Sequence, residues 1–199
     1  MNVVNLFPTA VGMFDLGRDF TELEIEFIKN QEKLDNVGNL TSTNRIVLDS
    51  PELSNIKVFI EKSVSKYFNE ICAPKNDTYL RLTQSWCNYT EPGQFHHKHA
   101  HPNSFISGVL YPQADKDTDK IYFYRSGYQQ LRTPTDNWNA YNSESWWMEV
   151  YTGRMFIFPS NLEHSVETVK GTNTRISLSF NTFPVGNFGH DESMTGLHL

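Results

Sequence analysis

Hydrophobic and polar positions follow a helical period in the first third of the chain and a strand-like period in the remainder. After a short extended segment around Leu6 to Phe14, apolar side chains between Phe20 and Leu34 recur near helical spacing, which predicts an amphipathic helix. A second helix is predicted from Ser50, a suitable N-cap followed by Pro51, to about Cys72. We expect both helices to pack on one face of a sheet.

Short apolar segments separated by Pro, Gly, Asn and Asp predict seven strands in the rest of the chain. They are Tyr79–Tyr89, Phe105–Tyr111, Lys120–Tyr124, Trp146–Tyr151, Met155–Phe158, Ser165–Val169 and Thr174–Phe183. This pattern favours a mainly β sandwich or jelly roll. We expect a single domain over 1–199, with a helical support region over 1–75 and the β core over 79–183. Residues 126–145 predict a long loop, either a binding loop or a surface insertion.

Composition narrows the classes of partner. The net charge of -6 argues against non-specific binding to nucleic acid, which needs clustered Lys and Arg. No apolar run is long enough to cross a bilayer, and the first residues do not resemble a signal peptide, so we expect no membrane partner and a cytoplasmic location. Cys72 and Cys87 are expected to be reduced core thiols.

Four of the seven histidines fall between Phe95 and His101, in the segment FHHKHAH. Imidazole is a common metal ligand, and residues two apart in an extended chain point the same way. His97 with His99, or His99 with His101, could therefore chelate one ion. A polar surface loop would give the same pattern.

His164, in a loop between two apolar strands, is a candidate third ligand. Three protein ligands that leave other positions open are typical of iron(II) oxygenases, whereas structural zinc sites are usually closed by four ligands. The alternative is a histidine that only bonds its own loop.

Arg175, eleven residues beyond His164, shares one face of the last core strand with Ser177 and Ser179. An inward arginine needs an anion, and its planar fork suits a carboxylate held by two hydrogen bonds. The alternative is an outward arginine on a surface strand.

Together these residues resemble the 2-oxoglutarate/iron(II)-dependent oxygenase superfamily, in particular its prolyl-hydroxylase-like branch and a group of oxygenases from marine bacteria and their phages. The resemblance covers about Gln84 to Phe183. The segment Tyr89–Phe95 leads without a gap to His99-Ala100-His101, at the position of the family's His-x-Asp motif. The following HPNSFISGVLYP is similar to the segment that follows that motif in the marine and phage group.

The resemblance implies a double-stranded β-helix with His99, His101 and His164 as metal ligands, and His97 as the alternative. His101 stands where the family has an acid. Arg175 and Ser177 match the Arg-x-Ser pair that holds the distal carboxylate of 2-oxoglutarate. Further residues are implied to line the same pocket: Asn88, Tyr89 and Tyr111.

The implied activity is that of a dioxygenase that couples decarboxylation of 2-oxoglutarate to succinate with hydroxylation of a substrate, using iron(II) and dioxygen, with ascorbate as an optional addition. His99, His101, His164 and Arg175 would carry catalysis. Two rivals remain at this stage. One is a cupin-like three-histidine metalloprotein that does not use 2-oxoglutarate, and the other is an inactive jelly-roll protein that binds a partner or belongs to a virion. The pattern identifies neither the substrate nor the oligomeric state. A small molecule and a peptide both stay open as the substrate class.

Overall fold

The helical period of the first third produces two helices in the structure, a computed structural model that describes residues 1–75, 77–127 and 134–199. Helix α1, Glu22–Lys29, begins after Thr21, whose side chain accepts from the backbone N–H of Glu24 while the Glu24 carboxylate accepts from that of Thr21. The helix is shorter than predicted because Leu34 lies in a strand, Lys33–Asp35.

The second helix begins where the sequence predicts. Ser50 precedes a 3₁₀ turn, Pro51–Leu53, which continues into helix α2, Ser54–Tyr67. A π turn, Phe68–Cys72, ends at Ala73 in the left-handed region, with φ of 44°. Further 3₁₀ turns span Val47–Asp49 and Asp191–Ser193.

The strands form two antiparallel sheets. In chain order they are β1 Gly12–Asp15, β2 Lys33–Asp35, β3 Leu40–Ser42, β4 Thr78–Thr90, β5 His96–His99, β6 Ile106–Gln113, β7 Lys120–Tyr124, β8 Ser145–Glu149, β9 Arg154–Pro159, β10 His164–Val166, β11 Arg175–Phe188 and β12 Leu197–His198. The large sheet runs β1-β9-β6-β11-β4-β3-β2, with β12 paired to β11, and the small sheet runs β5-β10-β7-β8. From β4 to β11 the chain crosses repeatedly between the sheets, which is the predicted double-stranded β-helix.

Strand alternation divides the core into two layers. The outer face of the large sheet packs on the helices, where Leu178 and Phe180 of β11 meet Ile56 and Ile60 of α2. The inner face contributes to a smaller, aromatic-rich cluster between the sheets: Val109, Tyr111, Ile121, Phe123, Val150, Phe156 and Phe158. The two helices therefore cover one sheet, as expected, and the opposite face of that sheet remains for a site.

The expectation for one cysteine is corrected, and part of the predicted loop lies outside the described residues. Cys87 is a buried free thiol, but Cys72 is exposed because it lies at the end of the π turn. Residues 128–133 of the predicted 126–145 loop lie outside the described residues.

Within the described parts of the chain, no helix is long and apolar enough to cross a membrane. The single-domain division and the cytoplasmic location stay predictions.

Candidate metal centre

Three histidines from the small sheet and its edge meet at one point. His164 of β10 pairs directly with His99 of β5, and His101 follows two residues beyond His99. The Nε2 atoms of His99 and His101 lie 3.1 Å apart, and one ring nitrogen from each of the three residues lies within 4.8 Å of the others. The His99 and His164 ring centroids are 4.4 Å apart. Antiparallel pairing thus brings together residues separated by more than sixty positions.

The hydrogen bonds of the Nδ1 atoms fix the tautomer of each ring. Nδ1 of His99 lies 2.8 Å from the carbonyl oxygen of His97, and Nδ1 of His164 lies 3.0 Å from that of Leu162. Carbonyl oxygens only accept, so both Nδ1 atoms carry the proton and both Nε2 atoms keep a lone pair.

His101 is held in the same way by side chains. Its Nδ1 lies 2.7 Å from Oδ1 of Asn181 and 2.8 Å from Oγ of Ser107. The Asn181 orientation is set in turn, because its Nδ2 donates to Oε1 of Gln84 over 3.1 Å. All three imidazoles consequently direct an Nε2 lone pair at their neighbours, an arrangement that a cation would stabilise.

Burial keeps these rings neutral. It lowers the pKa of His101 to about 4, it lowers that of His164 well below the ordinary value, and it lowers that of His99 as well, because the charged form loses its hydration. Neutral imidazole is the form that binds metal.

His96 and His97 form a second group around His99. Their ring nitrogens and that of His99 also lie within 4.8 Å of one another, and the His96 ring stacks on His99 with centroids 4.6 Å apart. Nδ1 of His97 lies 3.4 Å from the Val37 carbonyl oxygen. The first group is the more deeply buried, since His101 and His164 are buried whereas His96 and His97 are only half-buried. Geometry alone leaves the predicted alternative through His97 open.

Carboxylates are missing from both groups among the described residues, as the sequence indicates. Glu163, next to His164, forms an exposed ion pair with Lys98 at 2.7 Å. That His101 stands where the family motif has an acid stays a prediction.

Arg175 lies on the inner face of the large sheet and is only 3% exposed, so the surface-strand alternative is wrong. Ser177 and Ser179 follow on the same face. Asn88, from the neighbouring strand β4, donates from Nδ2 to the hydroxyl oxygens of Ser179 over 3.3 Å and Ser177 over 3.5 Å. Tyr111 of β6 lies in the same inner layer.

The anion that Arg175 meets is a residue of the protein. Nη1 of Arg175 lies 2.9 Å from Oδ1 of Asp119, and Nη1 and Nη2 each lie 3.3 Å from the Glu167 carbonyl oxygen. Oδ2 of Asp119 accepts from the backbone N–H of Asp115. Sequence reasoning missed Asp119: three acids, Asp115, Asp117 and Asp119, precede β7, and nothing in their pattern indicates which one points inward.

Tyr89 does not belong to this pocket. Its side chain lies in the layer between the large sheet and the helices, and its hydroxyl donates to the carbonyl oxygen of Ile28. Because Asn88 and Tyr89 are consecutive on a strand, they face opposite sides. The implied role of Tyr89 in lining the pocket is therefore corrected, while Asn88 stays on the inner face.

A cavity of about 690 Å³ opens beside His99 and His101. Trp86 is part of its wall and lies against the His101 ring, with ring centroids 5.6 Å apart. Five other aromatic residues are exposed and are not among the lining residues described: Phe105, Trp138, Tyr141, Trp146 and Trp147.

The β core of this chain is similar to known proteins. The family described as "Putative 2OG-Fe(II) oxygenase" matches residues 84–181. A comparison with curated protein sequences finds no match.

Solved structures show the same fold at low sequence identity. A 2OG-Fe(II) oxygenase family oxidoreductase from Burkholderia pseudomallei is 13% identical, with a TM-score of 0.59 and coverage of 86% of this chain and 83% of its own. HygX from Streptomyces hygroscopicus, solved with nickel and 2-oxoglutarate, is 11% identical, with a TM-score of 0.60 and coverage of 87% and 82%. A Pseudomonas putida prolyl-4-hydroxylase is 13% identical, with a TM-score of 0.54 and coverage of 87% and 92%.

The family match includes all three converging histidines and Arg175, and the structural matches extend the likeness to the whole double-stranded β-helix. The marine or phage origin suggested by the sequence stays a prediction. Residues 84–181 of this chain thus match the model of a 2OG-Fe(II) oxygenase family, and the chain shares its fold with solved structures of such oxygenases.

Proposed function

We propose that this protein is an iron(II) dioxygenase that uses 2-oxoglutarate and hydroxylates its substrate, with His99, His101 and His164 holding the metal. The observation that carries the proposal is the convergence of three Nε2 lone pairs whose Nδ1 atoms are all committed to acceptors. Two nitrogens bound to one metal at a right angle, with bonds of about 2.1 Å, lie about 3 Å apart. The 3.1 Å between His99 and His101 fits that geometry.

The missing carboxylate changes the charge of the centre. Three neutral imidazoles leave iron(II) with its full double charge, whereas two imidazoles and a carboxylate would leave a single charge. A dianionic co-substrate such as 2-oxoglutarate would balance that charge. The same excess is expected to weaken metal retention, because the three proposed ligands include no anion.

The inner face of the large sheet supports a site for the distal carboxylate of 2-oxoglutarate. Arg175 has five N–H donors, and its contacts with Asp119 and Glu167 use three of those donor directions. The hydroxyl oxygens of Ser177 and Ser179 accept from Asn88, so their own hydrogens can donate to an anion. The Tyr111 hydroxyl is buried without a hydrogen-bond partner among the described residues, and it is a further donor.

Iron and 2-oxoglutarate, when bound, would supply the oxidation, in which dioxygen converts 2-oxoglutarate to succinate and carbon dioxide and adds one oxygen atom to the substrate. The chain positions these groups. Asn181 and Ser107 orient His101, Arg175 fixes one end of the co-substrate, and Phe123 and Phe158 pack against His164 and keep water away.

One observation favours the rival three-histidine metalloprotein. Arg175 already has a buried carboxylate partner in Asp119, so an external carboxylate is not needed to explain its inward position. In that reading the chain would bind metal without 2-oxoglutarate.

Anaerobic titration separates the two functions. Iron(II) followed by 2-oxoglutarate should produce a charge-transfer absorption in the visible region, and His164→Ala should abolish it. Succinate should then form in air. Metal binding without the absorption band would favour the rival, and no metal binding would overturn both.

A further inference from the structure

The cavity beside the metal centre has a wall with cationic side chains, although the chain as a whole has a negative net charge. The whole chain carries 23 acidic and 17 basic residues, yet the described residues that line the cavity include Arg45 and Arg81 and no Asp or Glu. The remaining wall is mainly polar, with Thr83 and Gln84 beside the arginines. Two cations in a concave wall raise the local concentration of anions.

A β-bulge places Arg81 in this wall. Along β4 and β11, Gln84 pairs with Asn181, but the next pair is Leu82 with Thr182, so one residue, Thr83, is inserted. Without the bulge, Leu82 would follow Gln84 on the cavity side and Arg81 would face the helices. With the bulge, Leu82 packs on the helix side and Arg81 lines the cavity. Bulges often direct a side chain towards a functional site in this way.

Arg45 is fixed from a different segment. Its carbonyl oxygen accepts from the backbone N–H of Ser85 on β4 over 2.7 Å, and its Nη1 donates to Oγ1 of Thr41 over 3.1 Å. Thr41 is itself buried and bonded to the Cys87 carbonyl oxygen. The arginine backbone is therefore attached to the sheet, one guanidinium donor is bonded to Thr41, and the residue is part of the cavity wall.

Neither arginine forms an ion pair with another described residue. The ion pairs found within the described residues involve other cations, including Arg18, Lys57, Lys98, Arg154 and Arg175. Guanidinium groups bind carboxylate and phosphate oxygens through two parallel hydrogen bonds, which gives both affinity and orientation.

We propose that this cavity is the substrate site and that Arg45 and Arg81 bind a carboxylate or phosphate group of a small anionic substrate. The volume of about 690 Å³ is within the range of small-molecule sites. His99 and His101 form part of the same wall, so an anion held by the arginines leaves the rest of the molecule beside the metal centre. The assignment of this ligand as the substrate rests on the proposed function.

The test is calorimetric titration of the full chain, loaded anaerobically with iron(II) and 2-oxoglutarate so that the metal and Arg175 are already engaged. Inorganic phosphate and acetate are the two probes, and they distinguish a phosphate-bearing from a carboxylate-bearing substrate. Arg45→Gln and Arg81→Gln are compared with Lys62→Gln, which removes the same charge from an exposed position on α2.

At least one anion should bind saturably to the wild type and to Lys62→Gln, and at least about fivefold more weakly to each arginine variant. No saturable binding of either anion, or equal affinity in the arginine variants and Lys62→Gln, would overturn the proposal. The visible absorption of the loaded protein reports separately on the proposed function. If the loaded protein lacked this absorption but bound an anion in an arginine-dependent way, the proposed function would be rejected and the anion site kept. If the absorption appeared without arginine-dependent anion binding, only the anion site would be rejected.

Discussion

The carboxylate of Asp119 and the guanidinium of Arg175 form a buried ion pair with a 2.9 Å contact, and their side chains are only 4% and 3% exposed. Arg175 begins β11 of the large sheet and Asp119 immediately precedes β7 of the small sheet, so the pair joins the two sheets. Removing one member of a buried pair leaves the other charge without compensation.

Asp119→Ala should lower the free energy of unfolding by about 3 to 5 kcal/mol, because the buried Arg175 loses its carboxylate partner. Asp119→Asn should cost less, since the amide oxygen still accepts from Nη1. Urea denaturation measures both. The Asp119 variants should also have a higher KM for 2-oxoglutarate than the wild type has, with a smaller change in kcat, because Asp119 acts by positioning Arg175. A fully stable Asp119→Ala protein would contradict the ion pair.

Arg175→Lys keeps the charge and loses the planar fork. If Arg175 holds the distal carboxylate of 2-oxoglutarate, the KM for 2-oxoglutarate should rise about tenfold or more with a smaller change in kcat, because one ammonium cannot replace two parallel hydrogen bonds. Steady-state succinate formation measures this effect. An unchanged KM would show that Arg175 does not hold the distal carboxylate, whereas a wild type that forms no succinate would favour the metalloprotein that does not use 2-oxoglutarate.

Single alanine substitutions distinguish the two histidine groups. His101→Ala and His164→Ala should reduce iron(II) affinity at least about tenfold, because each removes one of three ligands. His97→Ala is the matched variant from the second group and should bind iron(II) as the wild type does. Equilibrium dialysis under anaerobic conditions gives the affinities. Loss of binding in His97→Ala with retention in His101→Ala would move the site to the half-buried group.

Asn181→Leu tests the support of His101. The leucine has similar size but cannot accept from Nδ1, so the ring loses one of its two Nδ1 partners, and the Ser107 hydroxyl, which is the other, loses the acceptor of its own hydrogen. Iron(II) affinity should fall by about 10- to 100-fold. Asn69→Leu, at an exposed position on the π turn after α2, is the control and should leave affinity unchanged. Equal affinities in the two variants would exclude this positioning role.

Tyr89→Phe and Tyr111→Phe form a matched pair on opposite faces of the large sheet. Tyr89→Phe should lower stability by about 1 kcal/mol, through the lost bond to Ile28, and should leave the KM for 2-oxoglutarate unchanged. Tyr111→Phe removes a hydroxyl that has no described partner, so we expect little loss of stability and a higher KM. Thermal unfolding and succinate assays distinguish them, and a reversal of the two results would show that the faces are assigned wrongly.

Much of the fold could be predicted from periodicity. The β7 bounds, Lys120–Tyr124, are those predicted, and α2 follows the turn that begins at Pro51. Short strands such as β2 and β3 were missed because three residues carry no detectable alternation. The early end of α1 was missed for a related reason, since Leu34 continues the helical spacing although it lies in β2.

The sequence by itself determined that the histidines and Arg175 belong to one β core and that Arg175 shares a strand face with Ser177, because spacing and alternation are local properties; the burial of Arg175 decided that this face is the inner one. It could not determine which partners they meet. The pairing of His99 with His164, the Asp119 partner of Arg175 and the bulge that turns Arg81 into the cavity all depend on register between strands far apart in the chain. Register follows from packing of the whole core, and one residue of slip exchanges the two faces. Only the tertiary structure decides those contacts.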